Sequence, residues 1–182
     1  MKLDYINLNK NSIGIELQNK GEEFGYHKFS NDQIKSLINQ TCFELGDKFC
    51  SDSATQLILE TGLVESKYKY LRQLGEGPAR SFWQVEPATA VDNLAHYLKH
   101  RASLMHKCAE VSLVDVKHWQ NFSEPLWAEI LEKNIAAAII HCRLKYWRVP
   151  KRMPNTLEGR AKYWKQYYNS AQGKGSEQHY ME

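Results

Sequence analysis

Two carboxylates in one apolar stretch carry the clearest chemistry in this chain. Glu60 and Glu65 both lie between Leu57 and Ser66, which leads straight into a segment rich in aromatic residues. Five residues correspond to about 500° of helix rotation, so the two acids point to different faces and form no pair on that helix. Glu65 falls at the C-terminal end, where the helix dipole disfavours a carboxylate and raises its pKa. Burial against Tyr68, Phe82 or Trp83 would raise it further. A carboxylic acid kept protonated near neutral pH is what general acid cleavage of a glycosidic bond requires. An ordinary surface glutamate near a helix end fits the same residues, so this pattern alone leaves both readings open.

Other chemistry is sparse. The sequence has no phosphate-binding glycine loop, no G-x-S-x-G and no H-E-x-x-H. His96, His100 and His106 share part of a helix face, but no carboxylate pattern completes a metal site. No metal and no cofactor are therefore expected. Cys42, Cys50, Cys108 and Cys142 form no C-x-x-C pair and show no zinc-finger spacing. They are expected to be free, mostly buried thiols of a reducing compartment.

The elements that must position Glu65 follow from periodicity and punctuation. Ser30 is a candidate N-cap with Gln33 at the capping-box position. Ile34, Leu37, Ile38, Cys42, Leu45 and Phe49 then recur at helical steps. A second helix is expected from Ser53 to about Ser66. Gly75, Gly77, Pro78 and Pro87 break regular structure over 67–88, yet Tyr68, Tyr70, Leu71, Phe82, Trp83 and Val85 make it too apolar for a solvent loop. Such a connection is either functional or tightly packed. Helical spacing resumes at Thr89 through Leu94, Tyr97, Leu98, Leu104 and Met105, and 108–122 stay ambiguous. Ser123-Glu-Pro opens a helix. Its stripe runs Trp127, Leu131, Ile135, Ala138, Ile139, Cys142 and Tyr146, and Pro150 and Pro154 end it. Thr156 caps a final helix that carries Trp164 toward Asn169 and stops at Gly173 and Gly175. Near the start, Ile13 and Ile15 alternate with Gly14 and Glu16 as a candidate short strand. The fold class expected is predominantly α, a single domain with at most a small β element. Its parts are an arm or loosely packed segment at 1–29, the domain at 30–175 and a frayed tail at 176–182.

A chain of 182 residues with 42% hydrophobic and 25% charged residues is not disordered, collagenous or of low complexity, and it is long enough for one core. The longest apolar stretch, Ile135 to Ile140, is too short to span a bilayer, and the first residues lack the apolar core of a secretory signal. No membrane span is expected. Charge is uneven. Arg143 to Lys165 holds eight Lys or Arg against Glu158, a local +7 in a chain of net +3, leaving −4 elsewhere. That end suits an anionic partner such as nucleic acid, an acidic membrane or a cell wall, or is simply a solvated basic face.

Three stretches, in order, resemble the lytic transglycosylase and goose-type lysozyme superfamily. Glu65-Ser66, Tyr68, Gly77-Pro-Ala-Arg-Ser-Phe-Trp-Gln84 and Pro87-Ala-Thr-Ala are similar to its active-site stretch. There a helix ends in Glu-Ser and a Gly-Ala-x-Gly-Leu-Met-Gln-x-x-Pro loop follows. Asn134-Ile-Ala-Ala-Ala-Ile-Ile-His-Cys-Arg-Leu resembles the Asn-Ile-x-x-Gly-x-x-Tyr-Leu helix, and Tyr167-Tyr168-Asn169-Ser-Ala-Gln-Gly resembles Ala-Tyr-Asn-Ala-Gly-x-Gly. Together they cover about residues 53–175. Departures are Arg80-Ser81 before the apolar pair, Phe82-Trp83 for Leu-Met, Ala138 for Gly and His141 for Tyr. They look more like a bacteriophage-type variant.

The resemblance implies a lysozyme-like fold and a peptidoglycan-cleaving enzyme. Glu65 would protonate the oxygen between N-acetylmuramic acid and N-acetylglucosamine, then act as base. The sugar's own 6-hydroxyl would attack in a transglycosylase. In a hydrolase water attacks, with Glu60, Glu76 or Glu86 as the nearby acids for a second carboxylate. Ser66, Gln84, Trp83, Tyr168 and Asn169 would form the substrate-binding set, with Tyr168 contacting Glu65. The partner would be peptidoglycan glycan strands, alongside other virion proteins. The place of action would be the virion, or the host cytoplasm with access to the wall. Two alternatives remain: a virion structural or DNA-ejection protein that keeps the fold, and a nucleic-acid-binding module.

Overall fold

The computed structural model describes residues 30–169 and 175–182. The 1–29 segment, with its candidate strand, and Gly173 lie outside these. The described chain is helical: α1 Asn31–Leu45, α2 Asp52–Ser66, α3 Pro87–His96, α4 Ala102–Ser112, α5 Val116–Trp119, α6 Glu124–Lys133, α7 Ile135–Trp147, α8 Leu157–Trp164 and α9 Glu177–Met181. Among the described residues the only β pairing is two isolated antiparallel bridges, Arg72 with Arg80 and Arg80 with Val85. The predominantly α expectation therefore holds.

Helix α7 is the axis of the domain. Ala137 through Leu144 and Tyr146 are all buried, so this helix is enclosed on every side, His141 and Arg143 included. Around it pack α1, α2, α3, α4 and α6, and α2 also meets α8 and α9. The Glu65 helix is thus braced by the central helix on one side and by the chain's last helices on another. Side-chain caps fix several helix starts: Ser51 Oγ accepts from Ala54 N at 3.2 Å, and Thr156 Oγ1 accepts from Gly159 N at 3.1 Å.

Several expectations need correction. Ser30 stands at the N-cap of α1, but its hydroxyl makes no capping bond. The long helix expected from Ser123 breaks at Asn134, which ends α6 and caps α7. Its Oδ1 accepts from Ala137 N at 2.8 Å while its Nδ2 donates to the carbonyl of Ser112 at 2.8 Å. That tertiary anchor to the end of α4 holds the residue extended and outweighs the continuous apolar stripe. The tail is not frayed from 176 on. Ser176 caps α9, and Tyr180 is buried with its hydroxyl donated to Glu60 Oε2 at 2.8 Å.

None of the four cysteines is bonded to another, and Cys42, Cys108 and Cys142 are buried. Burial pushes the Cys42 and Cys108 thiols up to about 12, so neither is a nucleophile.

Candidate active site

Glu65 sits one residue before the end of α2, where the chain turns sharply. Lys67 and Tyr68 both adopt positive φ, 52° and 54°. Ser66 holds this turn: its Oγ donates to the Phe82 carbonyl at 2.7 Å and accepts from Tyr68 N at 3.1 Å. One hydroxyl thereby pins the helix end to both ends of the 67–86 loop. Tyr68 folds back over α2, its hydroxyl donating to Leu59 O at 2.8 Å. The ring lies directly over Gly62, where an added Cβ would stand 2.4 Å from its Cζ. Ser81 and Gln84 also have positive φ, so backbone strain clusters around this loop, as it does at functional sites.

Glu65 opens into a cavity of about 700 Å³ lined also by Gln73, Leu74, Gln84, Glu86, Lys145, Trp164, Tyr168 and Asn169. Trp164 Nε1 donates to Glu65 Oε1 at 3.0 Å. Burial pushes the carboxyl up to about 7, against the opposing pull of that hydrogen bond and of the Lys145 charge. The neighbouring Tyr168 and Asn169 belong to a π-helical turn, Lys165–Asn169, which continues α8 and widens the backbone where it meets the cavity.

The expected site residues divide into two groups. Glu65, Gln84, Tyr168 and Asn169 come together at one cavity. Gln84 is held by its amide nitrogen, which donates to Ser81 O at 2.8 Å. Tyr168 lines the cavity, but its hydroxyl donates to the Trp83 carbonyl at 2.7 Å rather than to Glu65. Trp164 takes the role expected of it. Ser66 and Trp83 are buried and do not line the cavity. Ser66 is buried as the loop staple. Trp83 has no exposed surface, its Nε1 donates to Ile58 O at 2.9 Å, and it packs edge-on to Tyr68 and Phe82. The aromatic wall at Glu65 is therefore Trp164 and Tyr168, with Tyr68, Phe82 and Trp83 packed in the core behind the loop.

Glu60 has a different environment one face away. Arg160 grips it with both prongs, Nε to Oε2 at 2.6 Å and Nη2 to Oε1 at 2.7 Å. Burial favours the neutral form, but the bonds from Arg160, Gln56 and Tyr180 outweigh it and hold the carboxyl below the usual range. Its oxygens are committed to joining α2, α8 and α9. Glu76 is exposed, away from the cavity lining, whereas Glu86 lines the cavity with Glu65.

The basic segment is also partly internal. Arg143 is buried and donates to Phe49 O at 2.7 Å, Arg160 is bound to Glu60, and Arg148 is paired with Asp92. Lys145 faces the cavity. Lys151, Arg152 and Lys162 remain exposed, so the +7 of the sequence is not a +7 surface.

Two residues here were not in the expected set. Trp164 reads in sequence as a core aromatic, and it is one, with its single polar atom turned to the acid. Lys145 reads as one charge in a basic run. No match is found with known protein families, characterised proteins or solved structures.

Proposed function

We propose that this chain cleaves the glycosidic bond between N-acetylmuramic acid and N-acetylglucosamine in peptidoglycan, with Glu65 as general acid and then base. The observation that carries the reading is the Glu65 carboxyl, raised to about 7 and facing a cavity of about 700 Å³. Near neutral pH about half of such groups hold a proton to give to a leaving sugar oxygen. Trp164 holds Glu65 Oε1, which leaves Oε2 to carry the proton. The resemblance of the Glu-Ser helix, the following loop and the Tyr-Asn turn to lytic transglycosylases supports the same assignment.

After proton donation the Glu65 carboxylate takes a proton from the attacking hydroxyl. If the sugar's 6-hydroxyl attacks, the product carries a 1,6-anhydro ring and no second carboxylate is required. If water attacks, Glu86 is the other acid lining the cavity. A phage protein, borne on the virion or released at lysis, would reach the wall in this way. The nucleic-acid reading loses support because half of the basic segment is bound inside the domain or faces the cavity.

The test is digestion of purified peptidoglycan by wild type and by Glu65→Gln, with mass spectrometry of the products. Cleavage by wild type that falls at least about 100-fold in the variant is the expected result. Anhydro ends identify a transglycosylase and reducing ends a hydrolase. A wild type that cleaves no peptidoglycan would favour the virion structural role.

A further inference from the structure

The Glu65 cavity does not end at the acid. A second hollow of about 440 Å³ is lined by Ala88, Thr89, Asp92, Asn93, Lys145, Arg148 and Val149. Thr89 and Lys145 line both, so the two hollows are neighbours with Lys145 between them. The second hollow leaves room on the far side of Lys145 for a further part of the molecule whose bond Glu65 would cleave.

Among the described residues Lys145 is the one Lys or Arg that lines the Glu65 cavity. Its ammonium donates to the Tyr168 carbonyl at 2.9 Å and sits 4.2 Å from the Tyr168 ring centre. Both contacts hold the charge in place and neither neutralises it. It forms no ion pair among the described residues, unlike Arg148 next door, which is paired with Asp92 and also bonded to Asn93. Glu65 and Glu86 are the acids whose charges reach it. An ammonium has three donors, and the Tyr168 carbonyl takes one.

We propose that Lys145 is a specificity residue that binds a carboxylate on the sugar next to the scissile bond, so that the site selects an anionic glycan over a neutral one. This rests on the reading of Glu65 as the acid of a glycosidase. In a muramoyl strand free of stem peptides the carboxylate is that of the lactyl ether, and where a peptide is attached that group is a neutral amide. A fixed, partly desolvated ammonium with donors to spare matches one carboxylate oxygen, and water competes poorly at such a site.

The experiment compares kcat/KM on two substrates with the same sugar backbone: peptide-free muramoyl strands with free lactyl carboxylates, and the same strands with those carboxylates amidated. Wild type should prefer the charged strand by about tenfold or more, the order expected of one charge-assisted contact. Lys145→Gln should bring that ratio to about one, and Lys145→Arg should keep most of it. Equal rates on the two strands in wild type overturn the proposal without any variant, which covers a Gln variant that fails to fold. A ratio that survives in Lys145→Gln also overturns it, and if both rates fall together there, Lys145 acts on Glu65 instead. Cleavage of neither strand by wild type marks failure of the Glu65 reading itself, and the proposal falls with it.

Discussion

The indole nitrogen of Trp164 donates to Glu65 Oε1 at 3.0 Å across a sequence separation of 99 residues. The bond joins the end of α2 to the end of α8, and it favours the ionised acid while burial favours the neutral one. The balance of these two effects, with the nearby Lys145 charge on the side of the bond, sets the acid near neutrality.

Trp164→Phe removes the donor and keeps most of the apolar wall. With burial unopposed by that bond, the Glu65 pKa should rise above 7. The alkaline limb of the pH–rate profile should therefore move to higher pH. The maximal rate should drop by about tenfold as the carboxyl loses its fixed orientation. A limb that moves to lower pH would show that the indole does not favour the carboxylate.

Glu60 supplies the matching control on the same helix. Glu60→Gln leaves Arg160 without its carboxylate and should cost about 1–3 kcal/mol of stability at neutral pH. Because the folded pKa of Glu60 is depressed, its contribution is complete above the ordinary value of about 4.3 and is lost as pH falls through the folded value. The stability gap between wild type and variant should therefore close in acid. Chemical denaturation at neutral and acid pH measures this. Cleavage per folded molecule should change far less than in Glu65→Gln.

Gly62 gives a sharper structural test. Mid-helix, Ala is normally favoured over Gly by about 1 kcal/mol. Here the added methyl would meet the Tyr68 ring at 2.4 Å, with the ring fixed by its hydroxyl bond to Leu59 O. Gly62→Ala should destabilise the chain, by about 1–3 kcal/mol, and loosen the loop that carries Gln84. A gain in stability would mean that Tyr68 moves freely.

Periodicity and turn residues were enough to place the Glu65 helix, the loop after it and the cap at Thr156, because each depends on neighbours in sequence. The break at Asn134 was not legible. Its apolar stripe is unbroken, and what stops the helix is a side-chain bond to Ser112 on another element. Trp164 was hidden for a related reason. A buried tryptophan in a helical stripe looks the same whether its Nε1 meets a backbone carbonyl, as in Trp83, or the carboxyl of Glu65, as in Trp164. The basic run misled because a count of charges does not show that Arg143 and Arg160 face inward.

The Glu65 carboxyl also makes a claim about stability. The folded chain holds this proton up to about pH 7, while an unfolded glutamate releases it near 4.3. Between those values the folded state binds more protons than the unfolded one, so this group lowers stability as pH rises from about 4.3 to 7, and the loss is complete above 7. Its size is on the order of 1–3 kcal/mol, since Glu65 stays partly open to the cavity. Glu65→Gln has no proton to lose, and its amide oxygen still accepts from Trp164. The variant should be as stable as wild type near pH 4 and more stable above pH 7, whatever it loses in the proposed cleavage. Urea denaturation across pH 4–8 reads this directly. Parallel curves for the two proteins would show that Glu65 titrates as it does in the unfolded chain, and the acid would then have to be sought elsewhere in the cavity, with Glu86 the first candidate.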